Sequence, residues 1–310
     1  GLGLAVAAWI QWRNSVLDAK DVVAPTDASF VAVDNRSQIY RNDHFLSADE
    51  VTYLLQFIDH LGGWGSSDGM DQVELPVEGY VAGARRDPIV ARLEERIANH
   101  TGIPVHPHED ILSIFRVSSH GGLGDLNIAG THWTMVDSWD LAPDSPRGGF
   151  FPPFGLHHDS HERPHRAWTL MVYLQLPDSG GRRIFPLAGR PPKDGEPAER
   201  HRQFMAALQD LFGGAERNFS RRAFFDVHAE HPFMDLIEES CRGEYGVSFL
   251  PMEPGAAILY PSHSRSLRTW TAGCNVIKGT QIVLQKFKEY PLERRGQDEP
   301  IPPYQPFVEQ

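Results

Sequence analysis

The sequence carries no basic surplus. Its 29 lysines and arginines face 41 acidic residues, a formal net charge of -12, and this balance argues against binding a phosphate backbone, because nucleic-acid binders carry a basic stripe. The arginines that do cluster, at Arg163 to Arg166, Arg182-Arg183 and Arg221-Arg222, stand beside acids and read as solvated faces. The apolar stretch from Gly1 to Trp12 is too short to cross a bilayer, which takes roughly 20 residues. It reads instead as the tail of a signal or anchor segment, so membrane contact is expected only through such an anchor. No internal repeat is present. Cysteine is scarce: Cys241 and Cys274 are the two in the chain, and their number alone does not choose between a disulfide and two buried thiols. What is present is an ordinary globular composition, 41% hydrophobic and 10% aromatic, with ample material for a core. Three Asn-X-Ser/Thr sequons, at Asn35, Asn99 and Asn218, favour a secretory route and the endoplasmic reticulum lumen.

Along the chain, residues 13–38 are mixed and polar and read as a linker, with order expected from near Gln38. Ser47-Ala-Asp-Glu50 is a capping box ahead of apolar residues at helical spacing, Val51, Leu54, Leu55 and Ile58. A second helix is predicted over Pro88 to His100, with Pro in its first turn and Gly102 as its stop. From Ile111 the pattern turns to short β-type runs: Ile111 to Val117, Trp168 to Leu176, Ala256 to Tyr260 and Cys274 to Phe287, separated by Gly/Pro-rich joins. Residues 118–153 are too long for an ordinary connection and read as a lid or an insertion. A second insertion near 187–230 contains a helical pattern from Glu199 to Phe212. After Glu293 the tail has four prolines and no periodicity. The expected division is therefore a tail and linker over 1–37, one domain over 38–290, and an extended tail over 291–310.

Read in order, these segments resemble the catalytic domain of the prolyl 4-hydroxylase alpha-subunit family of iron(II) and 2-oxoglutarate-dependent oxygenases. The resemblance rests on "NDHFLSADEVTYLL" at 42–55, "DPIVARLEERIANHTGIP" at 87–104, "ILSIFRV" at 111–117, "FGLHHDS" at 154–160, "HRAWTLMVYL" at 165–174, "GGRRIFP" at 180–186, "GVSFLPMEPGAAILY" at 246–260 and "TAGCNVIKG" at 271–279. It implies an α+β fold, a double-stranded β-helix (jelly-roll) core with N-terminal supporting helices. It also implies iron(II) held by His157 and Asp159 of the His-X-Asp motif, 2-oxoglutarate as cosubstrate, ascorbate as an accessory reductant, and hydroxylation of a peptidyl or small-molecule substrate. Residues two apart on a strand share a face, so that imidazole and carboxylate can converge on one metal.

Two departures from the family pattern are prominent. Thr271 stands where the family places its distal iron-binding His, and Gln281 stands where it places the Lys that pairs with 2-oxoglutarate. A hydroxyl is a poor iron(II) ligand, and an amide lacks the charge for a charge-assisted contact. Val117 replaces a Tyr. Arg183, where Thr is common, could supply a bidentate carboxylate contact or be a surface Arg beside Arg182; His263 could replace the lost ligand only if its loop folded back. The adjacent His158 is expected to point away from the interior. Three functions follow: a working dioxygenase, a pseudo-oxygenase scaffold or binding module, and a metal-dependent enzyme not using 2-oxoglutarate. If the alignment holds, Thr271 and Gln281 face His157 and Asp159 inside the barrel.

Overall fold

The computed structural model describes residues 29–61, 64–67, 70–75, 87–118, 158–159, 165–190, 193–213, 234–262, 267–274 and 276–292. The N-terminal stretch through residue 28, the body of the 118–153 insertion, His157, His161, Asn218, His263 and the tail after residue 292 lie outside them.

Helix α1, Ala48–His60, starts where its capping box predicts. Ser47 Oγ accepts from the Glu50 N–H, and Glu50 Oε2 accepts from the Ser47 N–H, each at 3.1 Å. In α2, Pro88–Thr101, the Asp87 carboxylate accepts from the N–H groups of Ile89 and Val90, and Gly102 closes the helix at φ 68°. Helix α3, Gly195–Gly213, begins four residues before the predicted pattern, and α4, Met234–Arg242, was not anticipated.

Thirteen strands are described: β1 Val31–Asp34, β2 Ile39–Asn42, β3 Gly65–Ser67, β4 Met70–Glu74, β5 Ser113–Ser118, β6 Arg166–Gln175, β7 Ser179–Gly180, β8 Arg183–Phe185, β9 Val247–Phe249, β10 Ala257–Pro261, β11 Ala272–Gly273, β12 Val276–Lys278 and β13 Thr280–Glu289. They form an antiparallel eight-stranded sheet in the order β1-β2-β10-β6-β13-β5-β4-β3, a three-stranded sheet β11-β8-β9 and a pair β12-β7. One expectation is corrected here. Strand β1 lies inside the stretch read as a linker, where the Val31-Ala32-Val33 run is short and exposed and so does not stand out as a strand. The run from Cys274 to Phe287 is divided into β12 and β13 by a turn at Lys278-Gly279, where Gly279 has φ 88° and a Cβ would lie 2.9 Å from the Asp178 nitrogen.

Alternation along the central strands divides the core into layers. Leu170, Val172 and Leu174 of β6, Leu259 of β10, and Ile282 and Leu284 of β13 pack on one face against Leu54 and Ile58 of α1 and Leu93 and Ile97 of α2. Tyr173, Ile258, Tyr260 and Val283 point to the other face, against Phe185 and Phe249 of the three-stranded sheet. Ile184 and Ala272 turn away from that interface toward Phe204 of α3 and Leu236 and Ile237 of α4. In this last cluster Cys241 and Cys274 form a disulfide, which joins α4 to the segment after β11. The result is the mixed arrangement of helices and antiparallel sheets that the α+β reading anticipated.

The helix-facing row of β13 ends in charge. Lys286 and Lys288 are fully buried. Lys286 Nζ donates to Glu94 Oε1 of α2 at 2.8 Å and to the Asp110 carbonyl at 2.7 Å, while Lys288 Nζ donates to Glu109 Oε1 at 2.8 Å and to the Pro104 carbonyl at 3.1 Å. Burial pushes the Glu94 carboxyl up, against the pull of Lys286, and pushes the Lys288 ammonium down, against Glu109.

Candidate functional site

The inter-sheet face holds a second group of buried charges, centred on Asp159. This residue lies in a turn ahead of β6, so strand alternation does not orient it as the motif reading supposed. Its carboxylate is 4% exposed. Thr169 Oγ1 and the Tyr260 hydroxyl both donate to Asp159 Oδ2, at 2.7 and 2.9 Å. The reason lies in the register: Thr169 on β6 is the direct cross-strand partner of Tyr260 on β10, which puts both hydroxyls on the same face. Ser262 shares a 2.7 Å hydrogen bond with Thr169. The turn itself is held by Arg166, which donates to the Asp159 carbonyl at 2.8 Å while its Nε and Nη2 grip Asp110 Oδ2.

Arg183 completes the group. It sits on the central strand of the three-stranded sheet, opposite Gly273 of β11 and Phe249 of β9. Its side chain is buried, which overturns the reading of a surface Arg beside Arg182. Nη2 donates to the Tyr260 hydroxyl at 2.7 Å and lies 3.9 Å from Asp159 Oδ1. Tyr260 therefore accepts from the guanidinium and donates to the carboxylate. Burial raises the Tyr260 phenol well above its ordinary range, against the opposing pull of Arg183, and so keeps the proton it donates. For Arg183, burial opposes the charge, but Tyr260, Asp159 and Tyr173 outweigh it and the guanidinium stays protonated.

Thr271 is fully buried, and its hydroxyl donates to the Ile184 carbonyl at 2.8 Å. Gln281 is also buried, and its Nε2 donates to the Gly181 carbonyl at 2.8 Å. The approach is so close that a Cβ on Gly181 would lie 2.6 Å from that Nε2. Val117 is the cross-strand partner of Gln281. His158 is half-buried, edge-on to Trp270 at 5.0 Å between centroids. Sequence reasoning did not single out Thr169 or Tyr260, which stand in apolar strand runs, or Ser262, just past the end of β10, because their hydroxyls acquire meaning only opposite Asp159.

With His157 outside the described residues, those that are described do not by themselves fit iron(II). Of the ligand positions within the described residues, one is a carboxylate beside a guanidinium and the other a hydroxyl spent on a backbone carbonyl. Among the described residues no cluster of three or more His, Cys, Asp or Glu is suited to a metal. At the position of the family's Lys they offer 2-oxoglutarate the Gln281 amide, and the cation that is present, Arg183, is engaged with Tyr260 and Asp159.

No family model matches the sequence, and no curated protein does. Solved structures similar in arrangement include the viral collagen prolyl hydroxylase of Paramecium Bursaria Chlorella virus-1, in its 2OG complex, at 13% identity and a TM-score of 0.43, covering 84% of this chain and 99% of that one. A Pseudomonas putida prolyl-4-hydroxylase follows at 12% identity and 0.39, covering 82% and 94%. EctD from S. alaskensis, in its apoform, stands at 13% and 0.40, covering 89% and 82%. All three similarities are distant, and the chemistry of this chain follows from its own residues.

Proposed function

We propose that this chain is a prolyl 4-hydroxylase-like domain of double-stranded β-helix type that works as a binding module, without iron(II)/2-oxoglutarate turnover. The observation that carries this reading is the fate of Thr271 and Gln281. At the positions the resemblance gives to the distal iron ligand and the 2-oxoglutarate cation, both side chains spend a donor on carbonyls of the Gly181–Ile184 segment. Neither supplies an imidazole or a charge. A peptide or small molecule is the expected ligand class, on the resemblance alone. A secretory or endoplasmic reticulum location is supported by the Cys241–Cys274 disulfide and by the exposed sequon residues Asn35 and Asn99.

The retained Asp159, held by two hydroxyl donors, favours a second reading: a dioxygenase that completes its metal site from residues outside those described. The two readings separate in one experiment. Mn(II) titration followed by calorimetry, and oxygen consumption with iron(II) in the presence and absence of 2-oxoglutarate, should both be silent for the binding module. Saturable micromolar metal binding with 2-oxoglutarate-dependent oxygen uptake would establish the second reading.

A further inference from the structure

We infer that Arg183 is a built-in cation that takes the place of a metal ion beside Asp159, so that the site excludes divalent cations for as long as this guanidinium is present. The inference rests on the binding-module reading and gives it a cause in one side chain.

A carboxylate buried as deeply as Asp159 requires a compensating positive charge or a full set of donors. The protein provides the positive charge, together with donors to one of the two oxygens. Two hydroxyls donate to Oδ2, and Oδ1 faces the Arg183 guanidinium at 3.9 Å. The Tyr260 hydroxyl links the pair through short contacts to each member. With one positive and one negative charge, the group is neutral as it stands. Adding a dication would bring two further positive charges next to an arginine that cannot release its proton. The guanidinium cannot easily withdraw either. Its backbone is the middle strand of the three-stranded sheet, and Phe185, two residues on, packs edge-on against the Tyr260 ring at 4.9 Å. A metal ion would be exchangeable, whereas this cation is part of the chain.

Supplying an imidazole through Thr271→His does not suffice while Arg183 remains. The test is Mn(II) binding, read by electron paramagnetic resonance, in wild type, Thr271→His, Arg183→Thr and the double variant. Wild type and Thr271→His are expected to bind no more tightly than at millimolar concentration. The double variant is expected to gain about 100-fold or more. Binding by Thr271→His equal to that of the double variant would overturn the inference, and so would failure of the folded double variant to gain.

A second measurement covers the case in which Arg183→Thr does not fold. In a cycle of Asp159→Asn, Arg183→Gln and their combination, each single change should lower the denaturant midpoint, and the combination should recover a large part of the loss. Additive losses would show that the two groups are not a pair. Iron(II)-dependent turnover by wild type would defeat the binding-module reading. Tight Mn(II) binding by Thr271→His without turnover in wild type would defeat only the role of Arg183.

Discussion

Among the described residues, charge is buried on both faces of the eight-stranded sheet and is satisfied differently on each. On the helix side, Lys286 and Lys288 meet Glu94 and Glu109 in direct contacts of 2.8 Å, and the ammonium groups also donate to carbonyls of residues 104 and 110. Between the sheets, Arg183 and Asp159 stand 3.9 Å apart and are joined through Tyr260. The helix-side cluster is a closed ionic clamp that holds α2 and the 104–110 segment to β13. The inter-sheet pair is looser and depends on hydroxyls from neighbouring strands. Burying charge is costly in both settings, and the two differ in how completely each charge is paired. The clamp is accordingly assigned to stability, and the inter-sheet pair to the site.

The sharpest break in this comparison should come from Lys286→Met. It leaves Glu94 without its closest partner in a fully buried setting, with an expected loss of about 3–5 kcal/mol in urea unfolding. The combination with Glu94→Leu should recover much of it; if it does not, the clamp is not a paired unit. Next in size is the covalent link on the far side of the three-stranded sheet, in the cluster with α3 and α4. The Cys241–Cys274 bridge spans a sequence separation of 33 residues, so Cys241→Ser with Cys274→Ser should cost roughly 3–4 kcal/mol on the chain-entropy account. A reductant should shift the wild-type melting temperature and leave that variant unmoved.

Tyr260→Phe removes the hydroxyl that serves both Asp159 and Arg183. It should cost about 1–3 kcal/mol, the range for leaving buried polar groups unsatisfied. A neutral result would mean that the ion pair stands without its bridge. The smallest effect concerns pH on the helix side. Burial, with Arg96 nearby, lowers the His100 imidazole to about 4. Its folded value is thus below its unfolded value near 6.5, so the neutral ring contributes stability that is present above pH 6.5 and lost as pH falls toward 4. Urea midpoints at pH 7 and pH 4.5 should drop further for wild type than for His100→Leu. The partly wetted ring keeps this difference small.

The helices near the N-terminus were legible without a structure because their signals lie within a few residues of one another. Ser47 and Glu50, Asp87 and Pro88, and Gly102 define ends by local hydrogen bonding and backbone freedom. The central strands were legible for the same reason, as short β-type runs bounded by Gly/Pro-rich joins. Strand β1 and helix α4 were not, being short and shaped by what they pack against. Nothing local marks Lys286 and Lys288 as buried, because their partners lie 192 and 179 positions away in sequence. Asp159 was singled out by its motif, and Arg183 by its departure from a familiar pattern. That they form a pair depends on Tyr260, 101 positions beyond Asp159. The sequence alone determined the local elements and which polar residues to examine. Only the tertiary structure decided which of those residues are buried and what each one faces, because charges distant along the chain are brought together by packing rather than by any local rule.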